Sequence, residues 1–285
     1  RALLAAAPST IANNPVIIKM YQDLNPPKTH ETNEISIYLG PQFTVWNPKS
    51  LEDPGQGFVG GSEEATIYLS RELAKLGYKV TIYADPGEEE GDYDDVTWLP
   101  YYKFNSQDKF NILIIWRGIG NVDMNCDAKK IYVWCHDVQN PAEYTKEKLE
   151  KITKIIVLSK AHRDNLPDIP DDKFFITSNG FFEHLPNLKP KNNPKWCIWT
   201  SSYDRGLEHL LQVWPDVVKE VPDAQLHIFY GWKLFKYFYK DNPERMAWTR
   251  KIEEMMKYKG IIHHDRVSQV EMEKWYKKCG IFAYP

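Results

Sequence analysis

The sequence predicts an α/β chain built from two successive, doubly wound and mostly parallel domains. Three observations carry that prediction. From Ile35 onward, short apolar runs alternate with amphipathic helical segments. A glycine-rich stretch, Gly55-Gln56-Gly57-Phe58-Val59-Gly60-Gly61-Ser62-Glu63-Glu64, opens the first of those helices. A Pro-, Lys- and Asn-rich segment, Asn187–Pro194, then interrupts the alternation before it resumes.

The elements follow in order. Residues 1–34 lack sustained periodicity and end in Asn25-Pro26-Pro27, so they read as a tail or linker. Ile35–Gly40 reads as the first strand. After it, Ser62 is placed to cap a helix whose buried face holds Ala65, Leu69, Leu73 and Leu76, with Gly77 closing its C-terminus. Strands are expected at Lys79–Ala84, Asn111–Trp116, Lys130–Cys135, Lys154–Leu158 and Phe174–Thr177, which completes a domain over 35–188. The second domain, 189–285, starts with a strand at Lys195–Thr200 and a helix burying Leu207, Leu210, Leu211, Trp214 and Val218. A strand at Gln225–Tyr230, a helix opened by Pro243 and a strand near Gly260–His263 follow. Ser268 and Glu271 form a capping box for a helix with Met272, Trp275, Tyr276 and Cys279 on its buried face, and Ile281–Tyr284 is the last strand.

Composition bounds the function. The 285 residues carry 26% charged side chains and a net charge of -3, without the basic stripe that nucleic-acid binding requires. The basic run Lys189–Lys195 reads as solvated linker and the acidic run Glu88–Asp95 as an exposed loop. Cys126, Cys135, Cys197 and Cys279 are scattered with no C-x-x-C pair, which fits a reduced, cytoplasmic setting. No apolar run has the length of a bilayer span. The chain starts with arginine and stops at Tyr284-Pro285 just after an apolar strand, so it reads as part of something longer.

The chemistry points to an anion. Adjacent Gly60 and Gly61 leave backbone N–H groups bare at a helix start, where orphan donors and the positive dipole end favour phosphate. Gly55, Gly57 and Gly60 also satisfy G-x-G-x-x-G, with Asp85 as a ribose-binding acid. The insertion Pro41–Pro54 between strand and glycines argues against that dinucleotide reading. In doubly wound folds ligands lie beyond the carboxyl ends of strands. That rule gathers Gly60, Gly61, Arg117, His136, Asp137, Asn179, Gly180, Ser201–Arg205 and Gly231 around one cleft between facing domains. His263-His264 look like a metal pair, but neighbours on a strand point to opposite faces, and no metal is expected.

These residues resemble the retaining glycosyltransferases of family 4, which have the GT-B fold of two Rossmann-like domains. The similarity runs from about Ile35 to Pro285. It rests on Gly60-Gly61-Ser62-Glu63, His136-Asp137, Asn179-Gly180, Arg205-Gly206-Leu207 with Leu210-Leu211, and Val267 through Tyr276 leading to Phe282-Ala283-Tyr284-Pro285. The resemblance implies transfer of a sugar from a nucleotide donor to a glycan, lipid or small-molecule acceptor, with retention and without a metal or other cofactor. It places the donor mostly on the second domain and the acceptor on the first. Gly60, Gly61, Arg205 and Gly206 would bind the donor diphosphate; His136 and Asp137 would sit at the reacting centre. Arg117, Asn179, Gly180, Ser201, Gly231 and Val267 are further donor-site candidates.

The sequence also departs from the family. Thr200-Ser201-Ser202-Tyr203-Asp204 stands where members carry an earlier Gly-Arg pair, and Phe181-Phe182 follows Asn179-Gly180. The family's paired glutamates would come after Pro285, so the second domain reads as incomplete and the chain as weakly active or inactive. A non-catalytic nucleotide-sugar-binding module is the rival reading, and a GT-B type epimerase the third.

Overall fold

The computed structural model describes residues 14–42, 44–53, 59–120, 126–180 and 192–284, the side chain of Ile18 apart. The chain divides into two compact units, 1–181 and 182–285. Each is built around its own sheet.

In the first unit, β1 (Glu34–Tyr38), β2 (Lys79–Ala84), β3 (Gly91–Tyr93), β4 (Val96–Pro100), β5 (Lys109–Arg117), β6 (Asp127–Cys135), β7 (Lys154–Val157) and β8 (Phe174–Ile176) form one sheet. Its strand order is β3-β4-β2-β1-β5-β6-β7-β8. Every described pair is parallel except β3 with β4; helices α3 (Lys146–Lys151) and α4 (Lys160–Asp164) precede β7 and β8, and α6 (Lys233–Tyr239) belongs to the second unit. The chain leaves β1 in one direction to β2 and β4, then returns to its other side at β5. That reversal opens a crevice at the carboxyl ends of β1 and β5. One face of the sheet packs on Phe110, Leu113, Ile115, Val133, Ile155 and Val157. The other packs on Ile37, Ile67, Ile82, Trp46, Trp98 and Trp116.

The helix after the glycine stretch, α2 (Gly61–Lys75), packs the expected Ala65, Leu69 and Leu73 half-buried on the core. Its most buried residues are Glu63, Thr66, Ile67 and Ser70, while Leu76 is 75% exposed. Small polar side chains lie against the sheet because their hydroxyls are satisfied within the helix: Thr66 Oγ1 donates to Ser62 O and Ser70 Oγ to Ile67 O. The capping residue is Gly60 rather than Ser62, and Gly55 and Gly57 lie outside the described residues.

Part of the stretch read as tail is ordered. Helix α1 (Pro15–Leu24) begins at the Asn14 cap, and His30 is buried between Glu34 (3.2 Å) and Asp108 (3.4 Å). The acidic run read as a loop holds β3. Tyr93 pairs with Val96 across Asp94-Asp95, whose φ angles of 52° and 61° form a two-residue hairpin turn.

In the second unit, β9 (Asn193–Trp199), β10 (Gln225–Ile228), β11 (Ile261–His263) and β12 (Cys279–Phe282) make a parallel sheet in the order β11-β10-β9-β12. β9 begins inside the segment read as linker, whose residues 187–191, like 181–186 before them, lie outside the described residues. Helix α5 (Leu207–Glu220) buries Leu207, Leu211, Trp214 and Val218 at helical spacing, with Leu210 half-buried beside them. Helix α7 (Pro243–Met255) closes the same face through Thr249 and Ile252. Helix α8 (Gln269–Lys278) is capped by Ser268 Oγ, which accepts from Glu271 N. It packs Met272 and Trp275 on the other face, while Tyr276 is 46% exposed rather than buried. Here too the chain runs outward from β9 to β10 and β11, then returns to β12. The crevice therefore lies beyond the ends of β9 and β12.

Candidate functional site

At the carboxyl edge of the first sheet the structure brings Gly60, Arg117 and Asp137 together through one residue to which the sequence reading assigned no role. Glu63, 8% exposed, accepts Gly60 N–H (3.0 Å) and Ser62 Oγ (3.0 Å) on one oxygen, and faces Arg117 (3.4 Å) on the other. Its place at the third helical position, where a side chain reaches back to the cap, is the signal that would have found it. Gly61 is exposed, and a Cβ built there meets no atom within 4 Å. The chain's own packing does not require a glycine at that point.

Arg117 ends β5 with φ of 70°, a left-handed backbone rare outside glycine. Gln139 holds that turn by donating to Arg117 O (3.0 Å) and to Asp137 O (2.7 Å), while Tyr144 donates to Gln139 Oε1 (2.9 Å). The guanidinium lies over the Trp116 ring at 4.8 Å and donates to Asp137 Oδ2 at 2.8 Å. Two carboxylates thus already match this cation. A shallow depression beside it, of about 230 Å³, is lined by Leu39, Pro41, Gln42, Trp116, Arg117, Gly118 and Gly120.

His136 follows β6 with its ring 4.3 Å from that of Trp134. Its Nε2 is buried without a hydrogen-bond partner among the described residues. Burial, reinforced by the Arg117 charge, pushes its pKa down to about 4, so the ring is neutral at pH 7. Asp137 does not orient it: the carboxylate goes to Arg117, and its backbone carbonyl accepts from His162 Nε2 (2.8 Å). Asp85, the alternative ribose acid, ends β2 half-buried, and burial raises its pKa. Asn179 and Gly180 stand exposed beyond β8, and no described contact joins them to this cluster.

The second sheet gathers the remaining candidates at its own carboxyl edge. Trp199 Nε1 donates to Ser201 O (2.7 Å) and fixes the exit of β9. Arg205 N donates to Ser202 O (3.1 Å), so the loop turns tightly into Gly206, whose φ of 104° starts α5. Arg205 is exposed, and among the described residues none forms an ion pair with it. Gly231, with φ of 89°, follows β10 so closely that a Cβ there would stand 2.2 Å from Asp265 Oδ1. Val267 packs beside Ile198, Phe229 and Cys279. His263 and His264 bond on opposite sides of the strand, to Tyr203 Oη (2.7 Å) and to His227 Nδ1 (2.8 Å). Among the described residues no cluster of three or more His, Cys, Asp or Glu is placed to hold a metal ion. The four cysteines are free. No described helix is long and apolar enough to cross a membrane.

No family model matches the sequence. No curated protein matches it either. Among solved structures it resembles a glycosyltransferase from Rickettsia africae ESF-5, with a TM-score of 0.54 at 14% identity over 90% of this chain and 72% of that one. The chain shares its fold with that glycosyltransferase. Two TarM structures are also similar, each with a TM-score of 0.38. One is a mutant S. aureus TarM in complex with Fondaparinux, alpha-GlcNAc-glycerol and UDP, at 20% identity over 56% of this chain and 34% of that one. The other matches at 19% identity over 78% of this chain and 39% of that one. The chain therefore spans between a third and two fifths of the TarM length it matches.

Proposed function

We propose that this chain carries the donor-handling machinery of a retaining glycosyltransferase of family 4, moving a sugar from a nucleotide donor to an acceptor hydroxyl. The observation that carries the reading is Arg205. It is an exposed guanidinium matched by no described carboxylate, delivered by a tight loop to the N-terminus of α5 at the second sheet's crevice. A departing nucleoside diphosphate accumulates negative charge, which a guanidinium grips bidentately and a helix N-terminus stabilises further. Ser201, Gly206, Gly231 and Val267 border the same edge and supply backbone groups for phosphate, ribose and base.

In this reading Gly61 presents a bare amide to an anion at the first unit's edge, whereas the Gly60 N–H is already taken by Glu63 at 3.0 Å. Asn179-Gly180 contributes to the donor site by resemblance alone. His136, neutral at pH 7, serves by hydrogen bonding rather than by charge. Arg117 is a poor second phosphate cation, because Asp137 and Glu63 already neutralise it. Its role is to hold Asp137 at the edge where an acceptor hydroxyl would enter.

Arg205→Ala is expected to weaken binding of a nucleoside diphosphate by about 10- to 100-fold, the range of a lost charge-assisted contact. Binding of the matching nucleoside should not change. Calorimetric titration of both ligands decides it, and equal losses would remove the phosphate role. Gly61→Ala should leave the melting temperature unchanged or slightly higher, since its Cβ meets nothing and alanine is the better helix former. The added methyl should nonetheless lower diphosphate affinity; unaltered affinity would take the glycine pair out of the site.

A further inference from the structure

Tyr203 sits two residues before Arg205 and is 1% exposed. Its hydroxyl is used on both sides. It accepts the backbone N–H of Gly231 at 2.8 Å and lies 2.7 Å from His263 Nε2. With one lone pair taken by Gly231, the hydroxyl hydrogen is free for His263 in the tautomer that leaves Nε2 unprotonated. Burial lowers the His263 pKa and favours that neutral state. The phenol ring packs edge-on against Trp232 at 4.3 Å, so the hydroxyl has little freedom to seek another partner. One buried oxygen therefore ties together three loops: the one carrying Arg205, the left-handed turn at Gly231, and the exit of β11 that leads to Asp265 and Val267.

We propose that Tyr203 is a positioning residue for donor binding: its hydroxyl sets the spacing between the Arg205 loop and the Gly231 turn, so that cation and bare backbone meet one diphosphate together. This inference rests on the donor-site reading above.

The test is calorimetric titration of UDP, GDP and ADP, and of uridine, guanosine and adenosine, into the full chain at pH 8. Hydrogen exchange of residues 200–206 and Gly231 is followed on the same proteins. Tyr203→Phe should bind the preferred diphosphate about tenfold more weakly and bind the nucleoside normally. His263→Gln, which keeps an acceptor for the hydroxyl, should retain the wild-type affinity. Faster exchange in Tyr203→Phe without any change in diphosphate affinity would overturn the positioning role, leaving only a structural one. Equal losses for diphosphate and nucleoside would overturn it as well. Wild-type protein that binds none of the three diphosphates would overturn the donor-site reading, and this inference with it.

Discussion

Gly260→Ala is expected to destabilise the second unit by about 3 kcal/mol, well above the usual cost of a point change. Gly260 has φ of 81°, and a Cβ there would stand 2.6 Å from the backbone oxygen of Ala224. Its own carbonyl accepts from Leu226 N at 2.7 Å, so it cannot turn away without breaking the link to β10. Left-handed backbone alone costs a non-glycine residue roughly 1–2 kcal/mol. The collision with a main-chain oxygen adds the rest, because the carbonyl cannot rotate aside as a side chain can. Gly77 provides the control: φ is 92°, but a Cβ there meets nothing. Urea unfolding should show Gly77→Ala losing only the conformational part, about 1 kcal/mol. Equal losses at both positions would mean that Ala224 O does not crowd Gly260. Since β11 carries His263 and leads to Asp265, the Gly260 variant should also bind nucleoside diphosphate poorly.

Acidification should destabilise both units between pH 6.5 and 4. His136 in the first unit and His227 in the second both have folded pKa values pushed down to about 4, principally by burial. Arg117 contributes next at His136, and the hydrogen-bonded neighbour His264 at His227. A histidine whose pKa is lower when folded binds its proton more readily in the unfolded chain. Stability is therefore full above about pH 6.5 and falls as pH drops towards 4. For His136 the gap corresponds to roughly 3 kcal/mol at most. His227, 2% exposed, contributes a loss of the same sign. Melting curves from pH 7 to 4 should show the decline, and His136→Gln should flatten the first unit's part of it. A melting temperature that stays level over this range would show that neither ring is held neutral by its surroundings.

Much of the fold was legible because strand and helix periodicities are local properties. The runs at Lys79–Ala84, Lys154–Val157 and Gln225–Ile228 became strands within a residue or two of their expected ends. Leu207, Leu211, Trp214 and Val218 became one buried face. The failures have physical reasons. The expected face of α2 packs on the core through Ala65, Leu69 and Leu73, but Thr66 and Ser70 lie deeper because they satisfy their hydroxyls inside the helix. The acidic run hid β3 because its charges face solvent, while consecutive left-handed Asp94 and Asp95 make the hairpin. The ordered stretch before β1 was missed because His30 finds its partner Asp108 far along the chain.

What the sequence determined by itself is the alternation of strands and helices, the two sheets it builds, and the residue types waiting at their carboxyl ends. Arg205 before a helix and Gly60-Gly61 before another could be read in a line of letters, because a cation, a glycine pair and a helix start are each local. Only the tertiary structure decided which of these groups are free to act. It occupied Arg117 with Asp137 and Glu63, left Arg205 without a described acidic partner, and gave Tyr203 two partners, 28 and 60 residues away in the chain. Charge neutralisation and hydrogen-bond saturation depend on distance in space, and no spacing along the chain encodes them.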